Sequence, residues 1–557
     1  MSSIVETTAV QTKRLWLSFL KNWMNFVSYF GVFIVSILGC AWVHRLSPND
    51  LRYPWRVVDS DLSSLYSLAQ ALNQSWAGLV HRSLGAPYTA DLSLAFVPDD
   101  LHIEILRALV HLTDDPFVAV NLFYVLTFGL CAVSFLFLAD QFKISRWASL
   151  PLSLSYSWLP YHFTRMDAGH VFLAAYYMIP VGTVILHRLF LYTRSSEGGF
   201  LPASVSKRIL LSLAVIAVGS SGAYYAVFFS LLAFALVVVL PRGNSRQVLA
   251  TKSLAISAVG IGFLLAPLLR TIWARTHGLH TVLTRSPEES IQFGGTLARL
   301  LVPWGVWLPE NLKPLVAPME FEWNAIPLIG SFGVWLILIS IARAIAGSSE
   351  TSSNPESFIR FFFLGALLFY LASGFSLIFA YGVDSSFRTW NRMSIILLTF
   401  SLLMVGVLLS KVTMFRKTAS VFLILIVVTT QLTPLKNSGI GSEPDSISVA
   451  AYNKLRNFAQ EIQRAVPRGC SILQLPIMKY PEGGQIDGVG NGEHLWLPLL
   501  TEGFRWSYGA PKGSESGDYW SKFIGAPQDL PLQHAADLGF CAAVVMKDET
   551  YYLDLFK

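Results

Sequence analysis

Charge-free apolar runs long enough to cross a lipid bilayer recur along this chain, and they decide most of what it can fold into. The clearest cover residues 25–43, 116–139, 361–380 and 393–410. A helix rises about 1.5 Å per residue, so about 20 such residues bridge a hydrocarbon core about 30 Å thick. A helix in a soluble core needs only an apolar stripe, not an unbroken run. Composition agrees: 53% of the residues are hydrophobic and 14% are charged, against about 25% charged in ordinary soluble chains. A soluble enzyme is excluded. The first run is longer than the apolar region of a signal peptide, lacks a small-residue cleavage pattern and is followed by further spans, so it reads as an uncleaved anchor.

The net charge of +6 is spread unevenly, because residues 435–557 hold 11 Lys and Arg against 14 Asp and Glu. The excess of cations lies in the apolar part, in short segments between runs. That pattern is the one by which bacterial inner-membrane proteins keep Lys and Arg in cytoplasmic loops. No basic stripe with interleaved aromatics stands out, so nucleic acid is not an expected partner.

Lys13, Arg14 and Lys21 place the N-terminal segment (1–24) in the cytoplasm. Basic clusters then recur after alternate spans: Lys143 and Arg146; Arg188, Arg194, Lys207 and Arg208; Arg242, Arg246 and Lys252; Arg343 and Arg360; Lys411, Arg416 and Lys417. Residues 209–240 have cations at both ends, which two short spans turning at Ser220, Ser221 and Gly222 would keep on one side. The expectation is a polytopic α-helical domain over 25–434 with about eleven spans. Two long outer loops, 45–115 and 272–325, would share the periplasmic side with a C-terminal domain over 435–557.

Chemistry is therefore expected at the outer face. In the first loop Asp59 and Asp61 come just before an amphipathic pattern over 63–76, with Leu65, Leu68, Leu72 and Trp76 at helical spacing. Either carboxylate could serve as a base, and either could simply cap the helix. A short outer loop over 161–170 carries Arg165, Asp167 and His170. Ionisable groups at membrane depth commonly mark function, although Arg165 and Asp167 could merely pair at the surface. In the last short outer loop, Arg388 and Arg392 are four residues apart and would share one face of a helix. Two guanidiniums there suit a phosphate; snorkelling beside Trp390 is the plainer alternative.

No phosphate-binding glycine loop, dinucleotide fingerprint or zinc-spaced His/Cys cluster occurs. After residue 445 the pattern turns to that of a small α/β domain. It predicts a helix over 446–466, buried strands over 471–476 and 542–546, and a helix near 530–538. Cys470 and Cys541 open the two strands and could form a disulfide in an oxidising compartment; two buried free thiols are the alternative. Arg505, Trp506 and Tyr508 are candidates for an acceptor-binding lid, or for ordinary packing.

Several stretches, in this order along the chain, resemble the GT-C glycosyltransferases, and more closely the YfhO-like branch of bacterial membrane proteins. They are 84–87 (LGAP), 159–163 (LPYHF), 169–177 (GHVFLAAYY), 388–392 (RTWNR) and 504–510 (FRWSYGA). The resemblance implies inverting transfer of a sugar from a polyprenyl-phosphate donor to a cell-envelope glycan or lipid-linked acceptor at the outer face. It maps the general base onto Asp61 or Asp59, and Asp61 is preferred as nearer the helix. Donor-phosphate contacts fall on Arg388 and Arg392, with Arg165 and His170 as helpers. A second acidic position falls on Asp167. The resemblance requires no cofactor, and a divalent metal (Mg or Mn) on Asp59, Asp61 and Asp167 is compatible with it. The competing functions are a flippase or transporter of lipid-linked sugars and an oligosaccharide polymerase or ligase.

Overall fold

The computed structural model describes residues 2–56, 61–76, 78–94, 99–195, 200–240, 245–278, 285–304, 311, 326–347, 355–412, 416–437, 446–481, 483–486, 488–524 and 532–545. Asp59 lies outside them, as do much of the second long outer loop and part of the expected 530–538 helix.

The chain opens with α1 (Ser2–His44), followed in the first loop by α2 (Leu62–Gln74), the antiparallel pair β1 (Val80–His81) and β2 (Ala90–Asp91), and α3 (Asp100–Thr113). Next come α4 (Pro116–Gln141), α5 (Arg146–Ser157), α6 (Pro160–Asp167), α7 (Val171–Ala174) and α8 (Ile179–Arg194). Asp115 sets the start of α4, its carboxylate accepting from the backbone N–H of Phe117 at 2.8 Å and Val118 at 3.1 Å, with Pro116 at the first helical position.

The 209–240 stretch forms two helices, α9 (Val205–Gly219) and α10 (Ala223–Val238). The chain reverses at residues 220–222, where Gly222 has φ +141°. α11 (Arg246–Thr276) follows, then the short α12 (Glu289–Gln292) and α13 (Leu297–Leu301), and α14 (Leu328–Ile345). Beyond these are α15 (Pro355–Tyr370), α16 (Phe375–Gly382), α17 (Ser394–Ser410), α18 (Arg416–Val427) and α19 (Thr433–Asn437).

Among the described residues six helices are long and apolar enough to cross a membrane: Trp23–His44, Pro116–Gln141, Arg246–Thr276, Leu328–Ile345, Trp390–Ser410 and Arg416–Asn437. Their outward faces carry Phe26, Phe30, Leu268, Leu269, Phe332, Trp335, Phe422 and Leu425, all exposed. So large an apolar girdle is stable in lipid and not in water. This is a multi-pass membrane protein.

Inside the bundle the helices approach closely where side chains are small. A methyl group on Gly333 would run into the backbone of Ser401, so that glycine lets α14 and α17 meet. The two weakest apolar segments, α5 and α18, are joined by polar contacts. Gln431, in the π-helical turn after α18, accepts from Ser155 Oγ at 2.7 Å and donates to the Ser155 carbonyl at 3.1 Å.

The uninterrupted apolar run at 361–380 is broken in the structure. α15 ends at Tyr370, and α16 begins at Phe375 after Ser373, which has φ +63°. The backbone of Gly295, from the 272–325 segment, inserts there, bonding the Tyr370 carbonyl at 2.8 Å and the Ala372 N–H at 2.9 Å. Hydropathy could not register this break, because the stretch that satisfies the freed backbone groups is distant in sequence.

The C-terminal domain consists of α20 (Ser446–Ala465), β3 (Ser471–Leu475), α21 (Trp496–Leu500), β4 (Arg505–Trp506), α22 (Glu515–Ser521), α23 (Leu532–Asp537) and β5 (Phe540–Val545). Its sheet is parallel, in the order β4-β3-β5. Cys470 and Cys541 are joined as a disulfide across the β3 and β5 starts, with Cα atoms 5.8 Å apart.

The first loop extends this sheet. Leu84 pairs in parallel with Trp506, and the Trp506 N–H donates to the Ser83 carbonyl at 2.8 Å. On α2, Ser63 Oγ donates to the Gly492 carbonyl at 2.9 Å. α2 is buried between the bundle and this domain, with Leu62, Leu65, Tyr66, Leu68 and Leu72 all covered.

Candidate active site

The site forms where the first loop, the α6–α7 turn and the segment before α17 meet, beneath the C-terminal domain. Asp61 occupies the N-cap position of α2, yet its carboxylate caps nothing. It faces across the chain instead, with Oδ2 3.1 Å from His170 Nε2. The capping alternative for Asp61 is thereby removed. Half of the Asp61 side chain and about a third of His170 are exposed, so the pair is open to a ligand.

His170 is aimed by its local backbone. Gly169, with φ +77°, ends α6 in the left-handed region that glycine adopts without penalty. The His170 N–H then returns to the Arg165 carbonyl at 2.8 Å. Its Nδ1 sits 3.4 Å from Arg165 Nη1. A guanidinium only donates, so Nδ1 accepts, the ring proton is on Nε2, and Nε2–H donates to Asp61. Burial pushes the His170 pKa below its ordinary value. The Asp61 hydrogen bond resists this and the Arg165 charge adds to it. A neutral imidazole at pH 7 agrees with the tautomer that the contacts require.

Arg165 is 2% exposed. Its guanidinium lies 4.6 Å over the Tyr161 ring, and neither Nε nor Nη2 has a hydrogen-bond partner among the described residues. The Arg392 charge acts upon it. Arg392 itself lies 4.1 Å over the Tyr224 ring and has an unpartnered buried Nε. Neither has an acidic partner among the described residues. Two like charges, one fully buried, are costly unless an anion joins them.

Arg388 goes elsewhere. The helical turn starts only at Trp390, so Arg388 and Arg392 do not share a helix face. Arg388 pairs with Glu289 at 2.6 Å and lies 4.5 Å over the Phe293 ring. Asp167, at the end of α6, is half-buried and lies within electrostatic reach of the Tyr124 hydroxyl.

Among the lid candidates, Trp506 is fully buried in the sheet. Arg505 Nη2 donates to the carbonyls of Pro87 and Tyr88, each at 2.7 Å. Both tie the first loop to the domain. Tyr508 lines a cavity, and its hydroxyl and that of Tyr480 both feel the Asp61 charge. Tyr480, Glu289 and the Tyr161/Tyr224 ring supports escape sequence reasoning, because aromatics and loop acids carry no periodic signal. Among the described residues no group of three His, Cys, Asp or Glu is arranged to hold a metal ion.

No protein-family model and no curated protein matches the chain. Solved structures do. ArnT from Cupriavidus metallidurans, bound to undecaprenyl phosphate, superposes with a TM-score of 0.50 at 11% identity, over 95% of each chain. The Archaeoglobus fulgidus oligosaccharyltransferase gives 0.49 at 11% identity, over 88% of this chain and 65% of its own. The arabinofuranosyltransferase AftD from Mycobacteria gives 0.45 at 13% identity, over 86% and 31%. The chain thus spans about a third of AftD and just under two thirds of the oligosaccharyltransferase. The fold is a GT-C-type transmembrane module carrying a small C-terminal α/β domain. The match to ArnT runs over nearly the whole length of that chain.

Proposed function

We propose that this chain is an inverting glycosyltransferase that moves a sugar from a polyprenyl-phosphate donor to a cell-envelope glycan or lipid-linked acceptor. The observation that carries the reading is the continuous array Asp61–His170–Arg165–Arg392. It sets an oriented carboxylate at one end and a pair of guanidiniums, one of them fully buried, at the other. The Asp61 carboxylate takes the proton of an acceptor hydroxyl as that oxygen attacks the anomeric carbon. The bond to the donor phosphate oxygen breaks, and the lipid phosphate leaves as an anion that needs charge neutralisation more than a proton. Arg165 and Arg392 supply it from fixed positions, where poor solvation makes a charge contact stronger than in water.

His170 keeps Asp61 pointed into the site and turns with Arg165 to do so, which makes it a positioning residue. Arg388, held by Glu289, contributes to the field. Since Asp61 and His170 gain no third ligand among the described residues, no step is assigned to a divalent metal. The order of the short motifs supports placement in the YfhO-like branch. Alternating basic clusters, together with a disulfide in the C-terminal domain, support a bacterial inner membrane with a cytoplasmic N-terminus and a periplasmic C-terminal domain.

Transfer of radiolabelled sugar from a panel of polyprenyl-phosphate sugars, in membranes carrying wild type, Asp61→Asn or Asp59→Asn, tests the reading. Transfer by wild type that is lost in Asp61→Asn at equal expression upholds it. Equal transfer by wild type and Asp61→Asn overturns the assignment of the base, and flipping of the lipid-linked sugar without transfer indicates a flippase.

A further inference from the structure

α9 and α11 each begin at a basic cluster, Lys207 and Arg208 for the first, Arg246 and Lys252 for the second. They meet closely at Gly219, where a methyl group would run into the Phe263 carbonyl. Between that contact and the clusters, a cavity of about 570 Å³ lies among α9, α11 and the end of α8, within the range of small-ligand sites. Val215, Ile216, Ala255, Ala258, Gly262 and Leu265 form its walls, and none of its described lining residues is charged. Ile216, Leu254 and Leu265 are exposed along it, so the groove opens sideways onto the apolar girdle. From Thr251 to Leu265 it follows α11 over about 21 Å, at about 1.5 Å per residue. That is about half of a full bilayer thickness, headgroups included.

The end nearest the clusters is different. There the lining passes to Tyr192, Phe200, Leu201 and Thr251, with cations against it. Arg188 Nε and Nη2 donate to the Phe200 carbonyl at 3.2 and 3.1 Å, and the guanidinium lies 5.9 Å over the Phe200 ring. Arg208 Nε donates to the Pro202 carbonyl at 2.7 Å. Both side chains are exposed, as is Lys207. A carbonyl orients a guanidinium without cancelling its charge. Residues 188–208 hold Arg188, Arg194, Lys207 and Arg208 against a single acid, Glu197, so this mouth stays positive whatever that acid contacts.

We propose that the groove holds one chain of an anionic glycerophospholipid, with its phosphate at the mouth against Arg188 and Arg208. The inference is independent of the glycosyltransferase reading. Uncharged walls suit a hydrocarbon chain and reject a sugar, whose hydroxyls would lose their hydrogen bonds to water there. The depth of one leaflet suits an acyl chain reaching in from its own headgroup. Guanidiniums grip phosphate oxygens through paired N–H donors, and each Lys or Arg near a membrane surface favours anionic lipid. A polyprenyl phosphate whose phosphate sat at Arg165 and Arg392 would give these cations no role. Bound in this way, the phospholipid fills the space between α9 and α11 and ties both to the end of α8.

The test is native mass spectrometry of the full chain in detergent, titrated with phosphatidylglycerol, phosphatidylcholine of the same acyl chains, and undecaprenyl phosphate. The proposal expects the first phosphatidylglycerol to bind at least about tenfold tighter than phosphatidylcholine. Arg188→Gln combined with Arg208→Gln should bring the two phospholipids within about threefold of each other. Ala258→Phe should weaken phosphatidylglycerol by at least about tenfold, by filling the groove, and leave undecaprenyl phosphate binding unchanged. Ala255→Phe, on the same wall, repeats that measurement should one of the two fail to fold, and the arginine pair lies on the exposed surface, outside the packed core. Equal binding of the two phospholipids by wild type overturns the proposal, as does a preference that survives the double arginine variant or phosphatidylglycerol binding unchanged by groove filling. Loss of undecaprenyl phosphate in the filled variants assigns the groove to the polyprenyl chain and overturns it as well.

Discussion

The two ends of the helical bundle treat charge in opposite ways. At the end bearing the basic clusters, three of the described cations meet a complement. Arg146 pairs with Asp140 at 2.8 Å, and Lys411 with the buried Glu356 at 2.6 Å. Lys252 donates to the carbonyls of Thr193 and Ser195 at the end of α8, at 2.9 and 2.8 Å, where helix ends attract cations. At the other end Arg165 and Arg392 stand within electrostatic reach of each other, with buried N–H groups unpartnered among the described residues. Compensated charges hold helices in register. Like charges gathered without compensation are sustained by the rest of the fold, and they make sense as a place for an anion.

The largest effect that would sharpen this contrast is loss of the base. Asp61→Asn should lower transfer by about 100- to 10,000-fold, whereas Arg146→Gln at the opposite end should leave turnover within about twofold. Equal losses in both would erase the distinction. Next is Arg392→Gln, expected to reduce turnover by about 100- to 1,000-fold, as for removal of one transition-state donor. Arg388→Gln should cost far less, since its charge is already balanced by Glu289; steady-state assays of the two side by side decide it.

His170 gives a smaller, pH-dependent effect. Its pKa lies below the ordinary value of about 6.5, so the neutral ring persists through pH 7 and protonation comes only on acidification. Protonated Nδ1 then opposes the Arg165 donor, and the ring loses the contact that aims it, and with it Asp61. Transfer should therefore stay level through the ordinary histidine range and fall only on further acidification. His170→Gln should lose this acid limb at a rate about tenfold lower overall. The least effect on catalysis belongs to Lys411→Ala. It removes one partner of the buried Glu356 carboxylate, which should lower stability by about 1 kcal/mol in a detergent melt and leave turnover alone.

Hydropathy made the bundle legible because exposing polar backbone to lipid is expensive enough to write itself into every spanning segment. The turn at residues 220–222 and the strands opening at Cys470 and Cys541 were legible for similar local reasons. The site was legible only in its residue types. Nothing local tells that Asp61 reaches His170, 109 positions away, instead of capping α2. Nor does spacing reveal that Arg388 leaves Arg392 for Glu289, because the helical turn begins two residues later than periodicity assumes. Trp506 and Arg505 looked like site residues for their chemistry, and they are placed as sheet partners of the first loop. In each case the deciding partner is set by tertiary packing, on which neither propensity nor charge spacing bears.

Binding of undecaprenyl phosphate to the purified chain, compared among wild type, Arg392→Gln, Arg388→Gln and Arg146→Gln, tests most directly whether the uncompensated guanidiniums hold the donor phosphate. The account expects Arg392→Gln to weaken binding by at least about tenfold, with the other two variants close to wild type. Indistinguishable binding by all four would contradict it and show that the lipid phosphate is held elsewhere.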